Sequence, residues 1–279
     1  MKRFLFVALI LNFGVVDFTQ ACSMFKYTIN GKTFVGNNED WTDPNAWMWI
    51  ESDEAEENGV VFFGFSDFFP QGGINDKGLV FDGFAMPDLQ IKNIEGKKAF
   101  YWELFEDIMH SSSTVDEVKS TLIQYNLSPL STAQLMFVDK SGTSIIVEGD
   151  EIIESTESYQ IATNFYQSLV PKEGYAKTCT RYATIQSMLK DINSFTAEFG
   201  ISVLDAAHQD IRSRSGPGLK TQYSNLYDLD KGIIYLSLHS NFNDVVELSV
   251  SDLVKKGNHK LELNSLFVDD KTYSDLKNR

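Results

Sequence analysis

A hydrophobic leader at the start of the chain ends directly before a cysteine. Two cations precede an almost unbroken apolar run over residues 4–16, and small residues stand at 19–21. This order is typical of a secretory signal peptide, and the apolar run is too short to span a bilayer. We therefore predict a signal peptide over residues 1–21 and a secreted or periplasmic mature chain that begins at Cys22.

Cleavage before Cys22 would place a thiol and a free α-amine on the same residue. A nucleophile and a base would then lie together without a second side chain. The thiol has a pKa of ~8.5 and the α-amine a pKa of ~7.7, so the amine can take the thiol proton and later return it. Two other interpretations stay open. One is a lipid anchor on Cys22, although Thr19 stands where lipoprotein signals usually have leucine, and the other is a Cys22–Cys179 disulfide.

The composition is that of a chain that can bury a core without cross-links. It has 279 residues, 43% of them hydrophobic, and a net charge of -15. Such acidity argues against nucleic acid and anionic membranes as partners, and no later stretch is apolar enough to span a bilayer. The four histidines and two cysteines lack metal-ligand spacing, so we expect no metal and no cofactor. Residues 22–279 can form one large domain or two small ones, and we predict one domain.

A two-residue turn at 30–31, Asn-Gly, indicates a β-hairpin directly after the cysteine, because both residues tolerate positive φ. The flanking segments 24–30 and 32–36 have the composition of strands. The second strand leads back toward Cys22 and ends near Asp40. We therefore expect the Asp40 carboxylate to lie close to the thiol.

The order of the remaining elements favours a layered α+β domain. The glycine-rich segment 72–78 is interpreted as a turn, because it lacks the Gly-Lys-Ser/Thr ending of a phosphate loop. Helical periodicity and a capping box predict helices at 99–110, 114–125, 175–189 and 202–210. Further strands are predicted at 47–50, 60–65, 79–84, 135–138, 144–148, 158–163, 221–228, 233–239 and 245–250. Since no βαβαβ alternation is present, we expect stacked antiparallel sheets with helices outside.

Short motifs over nearly the whole chain resemble those of a known enzyme group. They occur in the expected order at 22–24, 36–41, 73–79, 162–165, 180–182, 221–228 and 233–236. Together they resemble the N-terminal nucleophile hydrolases of the choloylglycine hydrolase and penicillin V acylase group, and the related acyl-coenzyme A:6-aminopenicillanate acyltransferases. The resemblance implies an α+β fold, the four-layer αββα sandwich, and hydrolysis of a linear, non-peptide C–N amide bond through an acyl-enzyme. It also implies a small-molecule acyl amide as substrate and a chain that can form homo-oligomers.

The same resemblance assigns candidate catalytic residues. Cys22 resembles the nucleophile, with its own α-amine as the base. Asp40 would hold the amine or orient the thiol, and Arg181 would organise the site. Asn164 would donate to the oxyanion or the amine, and an amide N–H suits this role because it donates without a change of charge.

Two positions depart from the hydrolase pattern. Asn37 stands where the bile-salt and penicillin V enzymes have arginine, although the acyltransferases also have an uncharged residue there. Ala85 stands where the hydrolases carry an oxyanion asparagine, so only a backbone N–H could donate from that strand. We name Asn37 and Ala85 as substrate-binding or oxyanion positions.

Our main hypothesis is a secreted N-terminal-cysteine hydrolase that acts on an acyl amide of the penicillin V, bile-salt or N-acyl type. The alternative is a catalytically inactive or lipid-anchored surface protein of the same fold. A Cys-His enzyme is not favoured, because none of the four histidines lies in a recognisable cysteine-protease motif.

Overall fold

The structure, a computed structural model, describes residues 22–52, 57–211 and 218–267, so the predicted signal peptide at 1–21 lies outside the described residues. The strands in these ranges are β1 (Ser23–Ile29), β2 (Lys32–Trp41), β3 (Trp47–Glu51), β4 (Val60–Gly64), β5 (Pro70–Asn75), β6 (Val80–Ala85), β7 (Ala133–Val138), β8 (Ser144–Glu148), β9 (Glu151–Ser155), β10 (Tyr159–Thr163), β11 (Asp210–Ile211), β12 (Leu219–Asp228), β13 (Ile233–Leu238), β14 (Val246–Ser249) and β15 (His259–Glu262). The α-helices are α1 (Leu104–Ser111), α2 (Val115–Leu122), α3 (Tyr175–Thr178), α4 (Thr180–Leu189), α5 (Ala197–Ala207) and α6 (Val250–Val254).

Two antiparallel sheets form the inner layers of the molecule. The first has the strand order β10-β1-β2-β12-β13-β14, with β11 paired to β12, and the second has the order β15-β3-β4-β5-β6-β7-β8-β9. Helices α4 and α5 cover the outer face of the first sheet, and α1 and α2 cover that of the second. The predicted α+β fold with four layers, αββα, is therefore confirmed.

The layer between the sheets is mostly apolar. Met24 and Val35 from the first sheet meet Val61, Phe63 and Met136 from the second, and all five are fully buried. Each large apolar side chain that is fully buried contributes about 1.5–3 kcal/mol to folding. A polar side chain buried in this layer does not provide the stabilisation that a buried apolar side chain gives. The polar residues that lie there are therefore candidates for a functional role.

The hairpin that begins at Cys22 forms as predicted. Both residues of the 30–31 turn have positive φ, 52° and 73°, and such a two-residue turn fixes the register of the strands. Ser23 pairs with Asn38, so one further step along the register places Cys22 opposite Glu39. Because directly opposite residues share a face, the thiol and the Glu39 carboxyl point to the same side of the sheet.

The interpretation of 72–78 as a turn is wrong for its first part, which belongs to β5. A Cβ at Gly72 would lie 2.5 Å from Asp82 Oδ1, and one at Gly73 would lie 2.7 Å from the Val61 carbonyl oxygen. Glycine is required here because atoms of the neighbouring strands fill the space of a side chain.

Two predicted helices differ from the observed ones in their start. The helix predicted from residue 99 begins at Leu104, because Lys98 is held in a bridge to the chain at 124–126. The helix predicted at 202–210 is α5, which starts at Ala197 because the Thr196 hydroxyl caps it. The capping box of α2 is present as predicted.

Strands β9 and β15 were not predicted from the sequence. Both are short, lie at the edges of the second sheet and are mostly half-buried or exposed. Such strands lack the buried apolar run by which the central strands are recognised. The helix predicted at 175–189 is present but divided into α3 and α4 by an extended residue, Cys179.

Candidate active site

Cys22 lies directly before β1 and lines a cavity between the two sheets. The residue is 4% exposed, and its Sγ lies 4.0 Å from the carbonyl oxygen of Asp40. The cavity has a volume of about 250 Å³, and Glu39, Trp41 and Ala85 also line it. A small molecule in the cavity would therefore contact the thiol directly.

Arg181 connects Cys22 with two other predicted site residues, Asp40 and Asn164. Its Nη1 donates to the carbonyl oxygen of Cys22 at 2.5 Å and lies 3.9 Å from Asp40 Oδ2. Its Nη2 donates to Asn164 Oδ1 at 2.9 Å. Asn164 Nδ2 in turn donates to the carbonyl oxygen of Ala85 at 2.8 Å. The structure thus brings these five predicted residues into one connected group.

The Asp40 carboxyl is fully buried and only half satisfied. Its Oδ1 accepts a hydrogen bond from the Thr221 hydroxyl, whereas Oδ2 has no hydrogen-bond partner in the described part of the chain. Burial raises the pKa of Asp40 to about 7, although the Thr221 bond and the Arg181 charge both lower it. The group therefore titrates near neutral pH and can accept one more hydrogen bond.

Asn37, the sixth predicted residue, is engaged by another carboxyl group. Its Nδ2 donates to Asp82 Oδ2 at 3.2 Å, and both side chains are buried. Asp82 belongs to β6 in the second sheet, so the bond crosses the inner layer. Burial, followed by the charge of Glu39, raises the pKa of Asp82 well above its usual value.

Glu39 was not predicted from the sequence, although a signal for it was present. Glu39 is 2% exposed and lines the same cavity as Cys22, and burial raises the pKa of its carboxyl to about 8. The hairpin register alone places it opposite Cys22, because the 30–31 turn has two residues. Asp82 was also missed, and no local signal identifies it, since it comes from the other sheet.

The described residues do not provide other kinds of site. Their His, Cys, Asp and Glu side chains form no group of three or more that could hold a metal ion. Within the same ranges, none of the helices has the length and apolar character needed to cross a bilayer.

The thiol of Cys22 is held in its protonated form. Burial, followed by the charges of Glu39, Asp40 and Asp82, raises the pKa of the thiol well above its usual value. Both Cys22 and Cys179 are free thiols, so the disulfide considered from the sequence is not formed.

In the uncleaved chain we expect iodoacetamide at pH 8 to alkylate Cys179 at least about tenfold faster than Cys22, because the thiolate is the reacting form. Cys179 is only half-buried, whereas Cys22 is enclosed by acidic groups. Peptide mass spectrometry after timed acid quenching measures both rates. The two rates should converge in the urea-unfolded chain, and faster labelling of Cys22 in the folded chain would contradict the raised thiol pKa.

Neither a protein-family model nor a curated protein sequence matches this chain. A cysteine-to-alanine mutant of the conjugated bile acid hydrolase from Clostridium perfringens is similar in structure, with a TM-score of 0.65 and 17% identity over 88% of this chain and 97% of that chain. An arginine-to-leucine variant of the same hydrolase gives a TM-score of 0.64 and 17% identity, over 87% of this chain and 97% of that chain.

The penicillin V acylase from Agrobacterium tumefaciens is also similar. It has a TM-score of 0.68 and 18% identity, over 87% of this chain and 92% of that chain. At this level of identity the likeness concerns the fold. The chain therefore has the N-terminal nucleophile hydrolase fold, which it shares with a conjugated bile acid hydrolase and a penicillin V acylase.

Proposed function

We propose that the chain is a secreted N-terminal-cysteine hydrolase that cleaves a linear acyl amide C–N bond once residues 1–21 are removed. The observation that carries the proposal is the position of Cys22, which directly precedes β1 and lines a cavity beside a half-satisfied carboxyl group. The shared fold supports it, because the similar structures are those of a hydrolase and an acylase.

In the proposed reaction the thiol proton of Cys22 passes to the residue's own α-amine, and Sγ attacks the amide carbonyl carbon. The tetrahedral intermediate collapses with cleavage of the C–N bond, and the α-ammonium gives its proton to the leaving amine. Water then attacks the thioester while the α-amine takes its proton. The C–S bond then breaks, and the α-ammonium returns the proton to Sγ. One water is consumed overall, and an amine, a carboxylic acid and the free thiol are formed.

The connected residues have distinct parts in this reaction. The Asp40 Oδ2, which accepts no hydrogen bond in the described part of the chain, would accept one from the α-ammonium and stabilise its charge. An amide nitrogen carries two hydrogens, so Asn164 can hold the Ala85 carbonyl with one and donate to the oxyanion with the other. Arg181 is a positioning residue, because it binds the Cys22 carbonyl and Asn164 rather than the reacting atoms.

The alternative of a lipid anchor on Cys22 is less well supported. A lipidated thiol must reach the surface, whereas this side chain is 4% exposed and lies in a cavity between the sheets. A catalytically inactive protein of the same fold would differ from the proposed enzyme only in turnover. Detection of the acyl-enzyme therefore separates the two hypotheses.

Intact mass and an acyl-trapping experiment test the proposal. The exported protein is expected to have the mass of an unmodified chain that starts at Cys22. Brief incubation with p-nitroanilides of several acyl groups, followed by acid quenching, should add one acyl mass to the N-terminal peptide, and Cys22→Ala should add none. A lipid-sized increment, a start at another residue or an acyl group on Cys179 would contradict the proposal.

A further inference from the structure

We propose that the cavity beside Cys22 takes an acyl group that carries a protonated amine one or two carbons from the scissile carbonyl, with Glu39 as the partner of that amine. This inference rests on the proposed function and names the substrate class of the same site. Three features of the cavity support it: the charge of the lining, the unsatisfied state of Glu39 and the aromatic walls.

The cavity lining contains only one sign of charge. Glu39 and Asp67 are its charged residues, and none of the lining residues in the described part of the chain is a lysine, arginine or histidine. Asn37, close to this cavity in sequence, donates to another carboxyl, Asp82. None of the described lining side chains is a cation, so the carboxyls would repel an anionic group in this cavity and attract a cationic one.

The Glu39 carboxyl lacks the hydrogen bonds that a buried carboxyl elsewhere in this protein receives. Glu148 is fully buried and accepts from the Gln134 amide and from the backbone N–H groups of Gln167 and Ser168. Glu39 is 2% exposed, and its Oε2 has no hydrogen-bond partner among the described residues. Because an unsatisfied buried polar atom is costly, a bound ammonium would supply the bond that the protein leaves unmade.

Aromatic rings form much of the remaining wall. Trp41 and Phe65 line the cavity with their ring centroids 6.0 Å apart. Phe69 and Trp102 also line it, 5.8 Å apart, and are 41% and 45% exposed, which places them on its solvent side. Ring faces attract a cation and also accept hydrocarbon, so the walls suit a short amine-bearing chain.

The hairpin register sets the distance between the amine and the carbonyl. Cys22 lies opposite Glu39 in the hairpin register, and both residues line the cavity. An amine bound to Glu39 is therefore close to a carbonyl carbon bonded to Sγ. The volume of about 250 Å³ lies below the range of about 300–1,000 Å³ that is usual for drug-sized ligands. We assign the cavity to the acyl part, because that part stays bonded to Sγ while the amine departs.

Binding to the mature Cys22→Ala protein tests the inference without turnover. The matched probes are 3-aminopropanoyl anilide and butanoyl anilide, which differ by an ammonium in place of a methyl group. Titration calorimetry at pH 8.5, above the pKa of about 8 of Glu39, is expected to show about 10–100-fold tighter binding of the amino compound. Glu39→Gln in the same background should reduce the preference to less than about threefold, and Glu39→Asp should retain part of it.

Glu151→Gln is the matched control, because Glu151 is an exposed residue of β9 and the preference should persist in this variant. Equal or tighter binding of the butanoyl compound, no binding of either compound, or an unchanged preference in Glu39→Gln overturns the inference. Failure of the proposed function gives a different result, since the mature wild-type protein would then form no acyl-cysteine with any amide. Hydrolysis of both anilides at equal kcat/KM removes this inference and leaves the proposed function in place.

Discussion

One extra glycine directly before Cys22 is expected to lower kcat/KM for acyl amides by about 10²–10⁴-fold. The extra residue converts the α-amine of Cys22 into a peptide nitrogen, which cannot take the thiol proton. The thiol itself is a poor nucleophile here, because burial and three carboxyl groups raise its pKa. Without the amine the thiol would have to ionise among those groups, so the loss in rate should be large.

The experiment compares three proteins released from an N-terminal fusion that is cleaved to leave a defined first residue. The first starts at Cys22, the second carries one glycine before it, and the third is Cys22→Ala, for which the loss should be at least about 10⁴-fold. Cys179→Ser is the matched control and should retain activity, because Cys179 is not among the residues that line the cavity. Full activity in the glycine-extended protein would exclude the α-amine as the base.

The sequence of the first hairpin is sufficient to predict the part of the site that lies on β1 and β2. The 30–31 turn, the alternation of β2 and the spacing to Asp40 all follow from the hairpin, and the structure has the same hairpin. The same rules would have placed Glu39 opposite the thiol, had the register been extended by one residue. Glu39 was missed because the resemblance directed the prediction to Asp40, its neighbour in the sequence.

Packing between distant segments accounts for what the sequence did not reveal. Asp82 meets Asn37 only because the two sheets stack face to face. Gly72 was assigned to a turn because glycine is common in turns, whereas its real cause is the Asp82 carboxyl that occupies the space of its side chain. Each of these contacts depends on which strands meet across the inner layer, and that information is not local.

The buried carboxyl groups also predict an unusual dependence of stability on pH. Burial raises the pKa of Glu39 to about 8 and that of Asp40 to about 7, above the values of ~4.3 and ~3.9 in an unfolded chain. At pH values between the unfolded and the folded pKa of each group, the folded protein therefore binds more protons than the unfolded chain. The contribution of these protonated carboxyls to stability is complete at a pH below their pKa values in the unfolded chain. It is lost as the pH rises through their pKa values in the folded protein.

We expect the free energy of unfolding of the uncleaved chain to fall by about 6 kcal/mol between pH 5 and pH 8. Urea denaturation at several pH values measures the slope. In Glu39→Gln the slope should be smaller and the stability at pH 8 higher, because the amide has no charge to bury. Glu151→Gln should keep the original slope, which separates this effect from the general repulsion in a chain of net charge -15.

Removal of the leader, residues 1–21, should weaken the dependence of stability on pH. The α-ammonium of the mature chain would lie near Asp40 and the other carboxyl groups that face the thiol, Glu39 and Asp82. A positive charge in this buried group lowers the carboxyl pKa values toward those of the unfolded chain, so fewer protons are exchanged on unfolding. An equal slope before and after cleavage, or stability that rises from pH 5 to pH 8, would contradict this account. The acidic group would then be a structural feature without a link to the N-terminus.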